Sequence, residues 1–120
     1  MKRIWLLAFV VLWISACTVP QPKQTTSSGP AATLLAQAQE QASLGEQAQA
    51  IALTERALRL EPRNGSAWLA LAKLHYSGGD MSKAEQFARR ALQFSGGNKP
   101  LEQACRELIE KIGMQVKQSG

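Results

Sequence analysis

The chain is 120 residues long, room for one small domain at most. It carries 14 Lys and Arg against 9 Asp and Glu, a formal +5, but Lys2 and Arg3 precede an apolar run with the layout of a removable leader. Without them the balance is +3, too small a surplus to argue for a nucleic-acid partner. Two cysteines, Cys17 and Cys105, and the single histidine His75, with no CxxC and no ligand-like spacing, argue against a disulfide framework and a zinc site.

The apolar stretch Ile4 to Ile14 has 11 residues, whereas a helix needs about 20 to cross a hydrocarbon core. A basic start, an apolar middle and the small residues Ser15 and Ala16 before a cut follow the secretory pattern. Nothing polar interrupts Trp5 to Trp13, so the stretch has no amphipathic face for a buried helix to use. Ile14-Ser15-Ala16-Cys17 resembles the lipobox of bacterial lipoproteins. That resemblance implies cleavage after residue 16 and diacylglycerol on the Cys17 thiol, with further acylation of the new N-terminus. Two or three chains, at about 0.8 kcal/mol per buried methylene, hold a protein on a bilayer far more firmly than one. Thr18, rather than an Asp, follows the cysteine, which resembles the outer-membrane sorting class and implies the periplasmic face of that membrane. Residues 1–16 are thus expected to be a signal peptide, with the lipid on Cys17 as the only non-protein group and no other cofactor.

Residues 18–30, TVPQPKQTTSSGP, place three prolines among Thr, Ser and Gln and read as a tether. With the lipidated cysteine they form a linker over 17–30. From Ala31 onward Ala, Leu, Gln, Glu and Arg dominate, which are strong helix formers, and an all-α domain is expected over 31–113 with a tail at 114–120. Four breaks, at Ser43-Leu44-Gly45, Glu61 to Gly65, Ser77 to Asp80 and Ser95 to Asn98, predict five helices near 31–43, 46–60, 66–77, 81–94 and 99–113. Asp80 is placed to cap the fourth, and Pro100 falls in the first turn of the fifth.

The helices repeat. Gly45 and Gly79, Ala50 and Ala84, Ala57 and Ala91, Leu58 and Leu92, Ala38 and Ala72, and Leu34 and Trp68 are each 34 residues apart. Two helices per unit at that period resemble the tetratricopeptide repeat. The better copy is WLALAKLHYSGGDMSKAEQFARRAL, with Trp68, Leu71 and Ala72 on the first helix, Gly79 in the turn, and Ala84, Ala91 and Leu92 on the second. Pro62 closes the earlier copy as the family's proline does. Leu34, Gln37, Gln41, His75 and Gly96 depart from the family pattern. The resemblance covers residues 31 to about 98 and implies two tetratricopeptide-type helix hairpins. Leu101, Ala104, Cys105, Leu108 and Ile112 then form one apolar face, so the fifth helix reads as the capping helix a solenoid requires. Small residues, Ala38 and Ala72 within the hairpins and Ala50, Ala57, Ala84 and Ala91 on the second helices, allow close helix approach, and Trp68 fills the gap between layers.

No enzyme is expected. His75 falls on the packed face, Cys105 on the apolar face of the last helix, and Asp80 is needed as a cap; no phosphate loop, paired carboxylate or metal cluster appears. The remaining candidate is a surface. In solenoids of this class the first helix of each pair lines a concave groove, which places Leu69, Lys73 and Tyr76 there in the second unit. One unit earlier come Leu35, Gln39 and Ala42, and one unit later Gln103, Glu107 and Glu110. Such a groove suits a helix or an extended peptide, although Leu35 and Leu69 also read simply as completing the core. Arg56, Arg59, Arg63, Arg89 and Arg90 fall on the outer side.

The leading expectation is a non-enzymatic, lipid-anchored envelope adaptor. Small tetratricopeptide lipoproteins of Gram-negative bacteria include activators of class A penicillin-binding proteins, so the resemblance implies such a peptidoglycan synthase as partner. Two other readings stay open: a pilotin-like assembly factor for a pilus secretin, and a structural lipoprotein that binds peptidoglycan itself.

Overall fold

The computed structural model describes residues 29–120. The signal peptide, Cys17 and nearly all of the linker expected from the sequence lie outside the described residues. Five α-helices follow one another: α1 (Pro30–Ser43), α2 (Gln47–Leu60), α3 (Gly65–Ser77), α4 (Met81–Gln93) and α5 (Lys99–Ser119). The described residues are all-α, and the five helices fall where the breaks in the sequence predict them. The one departure is at the end, where α5 runs on to Ser119 through the stretch read as a tail. Gly113 does not adopt positive φ, and the backbone passes through it in helical form.

α1 pairs with α2 and α3 with α4 as antiparallel hairpins, and α5 packs on α4 and α3. The two hairpin turns share one construction. Gly45 (φ 82°) and Gly79 (φ 84°) each take the left-handed conformation that suits a residue without Cβ. Around them the Glu46 N–H donates to Gln41 O at 2.9 Å, and the Asp80 N–H donates to His75 O at 2.9 Å, so the last turn of each first helix is closed in the same way. The next helix then begins at once, and only the second turn supplies a side-chain cap: Asp80 accepts from the Lys83 N–H at 3.0 Å, whereas Glu46, one methylene longer, caps nothing. The connections between units also repeat. Asn64 accepts from the Ala67 N–H and Asn98 from the Leu101 N–H, two N-caps placed 34 residues apart.

The core follows from the small residues. Ala50, Ala57, Ala72, Ala84, Ala88 and Ala91 are fully buried, and no longer side chain would let the helices approach as they do. One buried cluster joins α3, α4 and α5 through Leu69, Ala72, Ala88, Cys105, Leu108 and Ile112. A smaller one joins α2 and α3 through Leu58, Ala67 and Leu71, with Leu35 and Ile51 against it. Trp68 and Phe87 touch both clusters, their rings 5.7 Å apart, which makes them the bridge between the units. The Trp68 Nε1–H donates to the Pro62 carbonyl at 2.8 Å, so the proline that ends the first unit fixes the tryptophan that fills the gap to the second.

Candidate functional site

The first helices of the units, α1, α3 and α5, border one face, and a groove of about 450 Å³ opens between them. Leu35, Gln39 and Ala42 of α1 form one wall, while Leu69, Lys73 and Ser77 of α3 face them. Leu101, in the first turn of α5, also reaches the groove, and buried Thr54 of α2, its hydroxyl donating to Ala50 O at 2.8 Å, lies at its base. Of the residues expected from the sequence, Leu35, Gln39, Ala42, Leu69 and Lys73 come together here.

Four others do not. Tyr76 is half-buried against the cluster of α3, α4 and α5, so the end of α3 turns it toward the next unit rather than into the groove. Gln103, Glu107 and Glu110 lie on the exposed side of α5, where the Gln103 amide donates to the Glu107 carboxylate at 2.9 Å, and none of the three borders the cavity. Leu69 plays a double part: it lines the groove and is only 7% exposed, embedded in the core cluster. Sequence spacing missed Ser66, Ala70, Ser77 and Leu101, all of which border the cavity. The signal for Leu101 was available, since it lies 34 residues after Ala67 in the same first turn.

The groove is mostly apolar, with Lys73 as the cation on its wall and no acidic residue along it. Gln47 ties the lip together: its amide nitrogen donates to the Leu74 carbonyl and lies 3.3 Å from the Ser77 hydroxyl, joining the start of α2 to the end of α3. Lys73 also acts behind the wall. Burial pushes the Cys105 thiol above its ordinary pKa, and the Lys73 ammonium opposes that rise. No three metal-ligating side chains cluster among the described residues, and His75 packs its ring 5.2 Å from that of Phe87.

The remaining residues singled out by the period of 34 are structural. Ala38 is 3% exposed and Leu71 2% exposed, so both lie inside their hairpins.

A hairpin array of this construction is a helical-repeat scaffold, and the tetratricopeptide repeat family profile matches residues 35–99. The chain belongs to the tetratricopeptide repeat family. Its fold is similar to the globular C-terminal domain of P. aeruginosa LpoP, at 34% sequence identity with a TM-score of 0.74, over 77% of this chain and 87% of that one. Among curated protein sequences none matches this chain.

Proposed function

We propose that the protein is a non-enzymatic interaction module, held by lipid on Cys17 at the periplasmic face of the outer membrane, that binds and activates a class A penicillin-binding protein through the groove between α1 and α3. The observation that carries this is the similarity to the LpoP domain, which extends over most of both chains. The sequence resemblance to small tetratricopeptide lipoproteins that activate such synthases points the same way, and so does the lipobox-like Ile14-Ser15-Ala16-Cys17. The groove supplies what a docked peptide needs: apolar walls from Leu35, Leu69 and Leu101 for side-chain anchors, and Lys73, Gln39 and Ser77 for its polar atoms. No helix among the described residues is long and apolar enough to cross a membrane, so attachment in this reading falls to the lipid.

The test is photo-cross-linking from a benzoylphenylalanine placed at Gln39 in cells that carry the full chain. A cross-link to a class A penicillin-binding protein that disappears with Lys73→Glu, together with faster glycan polymerisation by that synthase when the protein is added, is the expected result. Cross-links to other proteins only, or a synthase indifferent to the protein, would show the proposal to be wrong.

A further inference from the structure

On the side of the array away from the groove, α2 and α4 leave a second, shallower cleft between them, of about 340 Å³. Leu58 and Leu71 form its buried floor, Trp68 and Phe87 its half-buried wall, and Glu55 and Arg59 its rim. Further arginines gather at the tryptophan end. The Arg90 guanidinium carbon sits 4.9 Å from the Trp68 ring centroid, and that of Arg63 sits 5.8 Å from the Phe94 centroid.

Only some cations of the helical surface are held by acids; Arg56, Lys73, Arg106, Lys111 and Lys117 are unpaired among the described residues, as these arginines are, but none of those five is laid on an aromatic ring. Arg89 is held by Glu85 at 2.7 Å, Lys83 by Asp80 and Lys99 by Glu102. Among the described residues Arg59, Arg63 and Arg90 have no carboxylate within 4.0 Å, although all three are exposed. Glu61, the acid nearest Arg59 and Arg63 in the chain, accepts a hydrogen bond from the Asn64 amide at 2.8 Å; Glu85, nearest Arg90, is taken by Arg89, and Glu55 makes no ion pair with Arg59 one helical turn away. Guanidinium groups laid on aromatic faces are held in place with their N–H edges free, and such groups suit carboxylates.

We propose that this cleft is a docking site for an acidic peptide segment of a partner protein, one that seats a large apolar side chain on Leu58, Leu71 and Phe87 and sets its carboxylates against Arg59 and Arg90. Arg59 on the rim and Arg90 over the Trp68 ring, neither in an ion pair, outnumber Glu55 and favour an acidic occupant. The lining favours a peptide over a glycan. Sugar recognition needs several neutral hydrogen-bonding side chains and an open aromatic face, but no Ser, Thr, Asn or Gln borders this cleft. Moreover, Arg90 already lies over the Trp68 ring, and the Trp68 N–H is spent on Pro62. The cleft shares no lining residue with the groove between α1 and α3, so in this proposal one chain holds two partner segments at once.

The test is fluorescence anisotropy of a labelled peptide of repeating Glu-Glu-Leu-Glu units titrated with the full chain in detergent. Uncrosslinked peptidoglycan strands are then added as competitor. The proposal expects saturable binding that weakens about tenfold or more when every Glu of the peptide is Gln, and by a similar factor in an Arg59→Glu, Arg90→Glu protein. Lys73→Glu, in the other groove, leaves the affinity within about twofold, since two distant sites are independent. Arg59→Glu alone touches no aromatic packing and guards against a misfolded double variant; it must itself weaken binding. The proposal is overturned if the wild-type chain does not bind the peptide, if the Gln peptide binds equally well, or if Lys73→Glu rather than Arg59→Glu removes binding. It is also overturned if the glycan strands displace the peptide.

Discussion

The backbone at Gly65 passes so close to the end of α4 that a Cβ built there would lie 2.6 Å from the carbonyl oxygen of Phe94. Both groups are main chain, so neither can rotate away. This contact locks the start of α3 to the end of α4 and closes the second hairpin. Gly65→Ala is therefore expected to lower stability by about 1–3 kcal/mol, the usual range for an inserted atom that forces the backbone apart. A lower urea midpoint with an unchanged slope is the measurement that shows it.

The helix starts allow a matched comparison. Asn64→Ala removes a side-chain cap and should cost about 0.5–2 kcal/mol in thermal or urea unfolding. At Asp80 the effect carries a pH signature. Its carboxylate accepts the Lys83 N–H, and that hydrogen bond, aided by the Lys83 ammonium, holds its pKa below the ordinary 3.8 despite some desolvation. A lowered folded-state pKa gives stability that is present above the unfolded value and lost as pH falls through the folded one. The melting difference between the wild type and Asp80→Ala should accordingly be full at neutral pH and narrow below about pH 4. Glu46→Asp, on a backbone with nearly the same dihedrals, should raise the melting temperature by giving α2 the cap it lacks.

Lys73 and Tyr76 separate binding from stability. Lys73 is exposed on the groove wall, so Lys73→Glu should leave helical content and unfolding midpoint nearly unchanged. Tyr76 packs on the core, and Tyr76→Ala is expected to cost about 2 kcal/mol, less than the ~3–5 of a fully buried aromatic. Circular dichroism during urea titration of the two variants distinguishes them.

Cys105 gives a readout of opening. It is fully buried, and burial disfavours its thiolate. Iodoacetamide should modify it only as fast as the α3–α5 packing opens, with a rate that rises steeply through the urea transition. Mass spectrometry of the peptide containing Cys105 measures it, and rapid modification of the native protein at pH 8 would contradict the burial.

The period of 34 made the helices, the two glycine turns and the alanine contacts legible, because small residues at fixed spacing have one physical use in a helical array. The same period marks Asn64 and Asn98 as paired caps, a signal in plain sight that hydrophobic spacing alone does not register. The groove was only half legible. Residues at i, i+4 and i+7 share a stripe on one helix, but each unit is rotated against the last, so the stripe faces the groove at Leu69 and Lys73 and the neighbouring unit by Tyr76. Gln103 and Glu107 fail for a related reason: the groove meets α5 only at its first turn, through Leu101. α5 runs past Gly113 to Ser119, because a glycine disfavours a helix by about 1 kcal/mol relative to Ala without ending it.

The unequal turns also give the array a direction under load. Whatever pulls on the chain ahead of Gly29 pulls first on α1, which begins without a side-chain cap and is followed by α2, which also lacks one. α3, α4 and α5 each start on a side-chain cap and share the larger core. Tension from that end would peel the first hairpin away while the second hairpin and α5 stay folded, lengthening the reach of the protein before the rest of it yields.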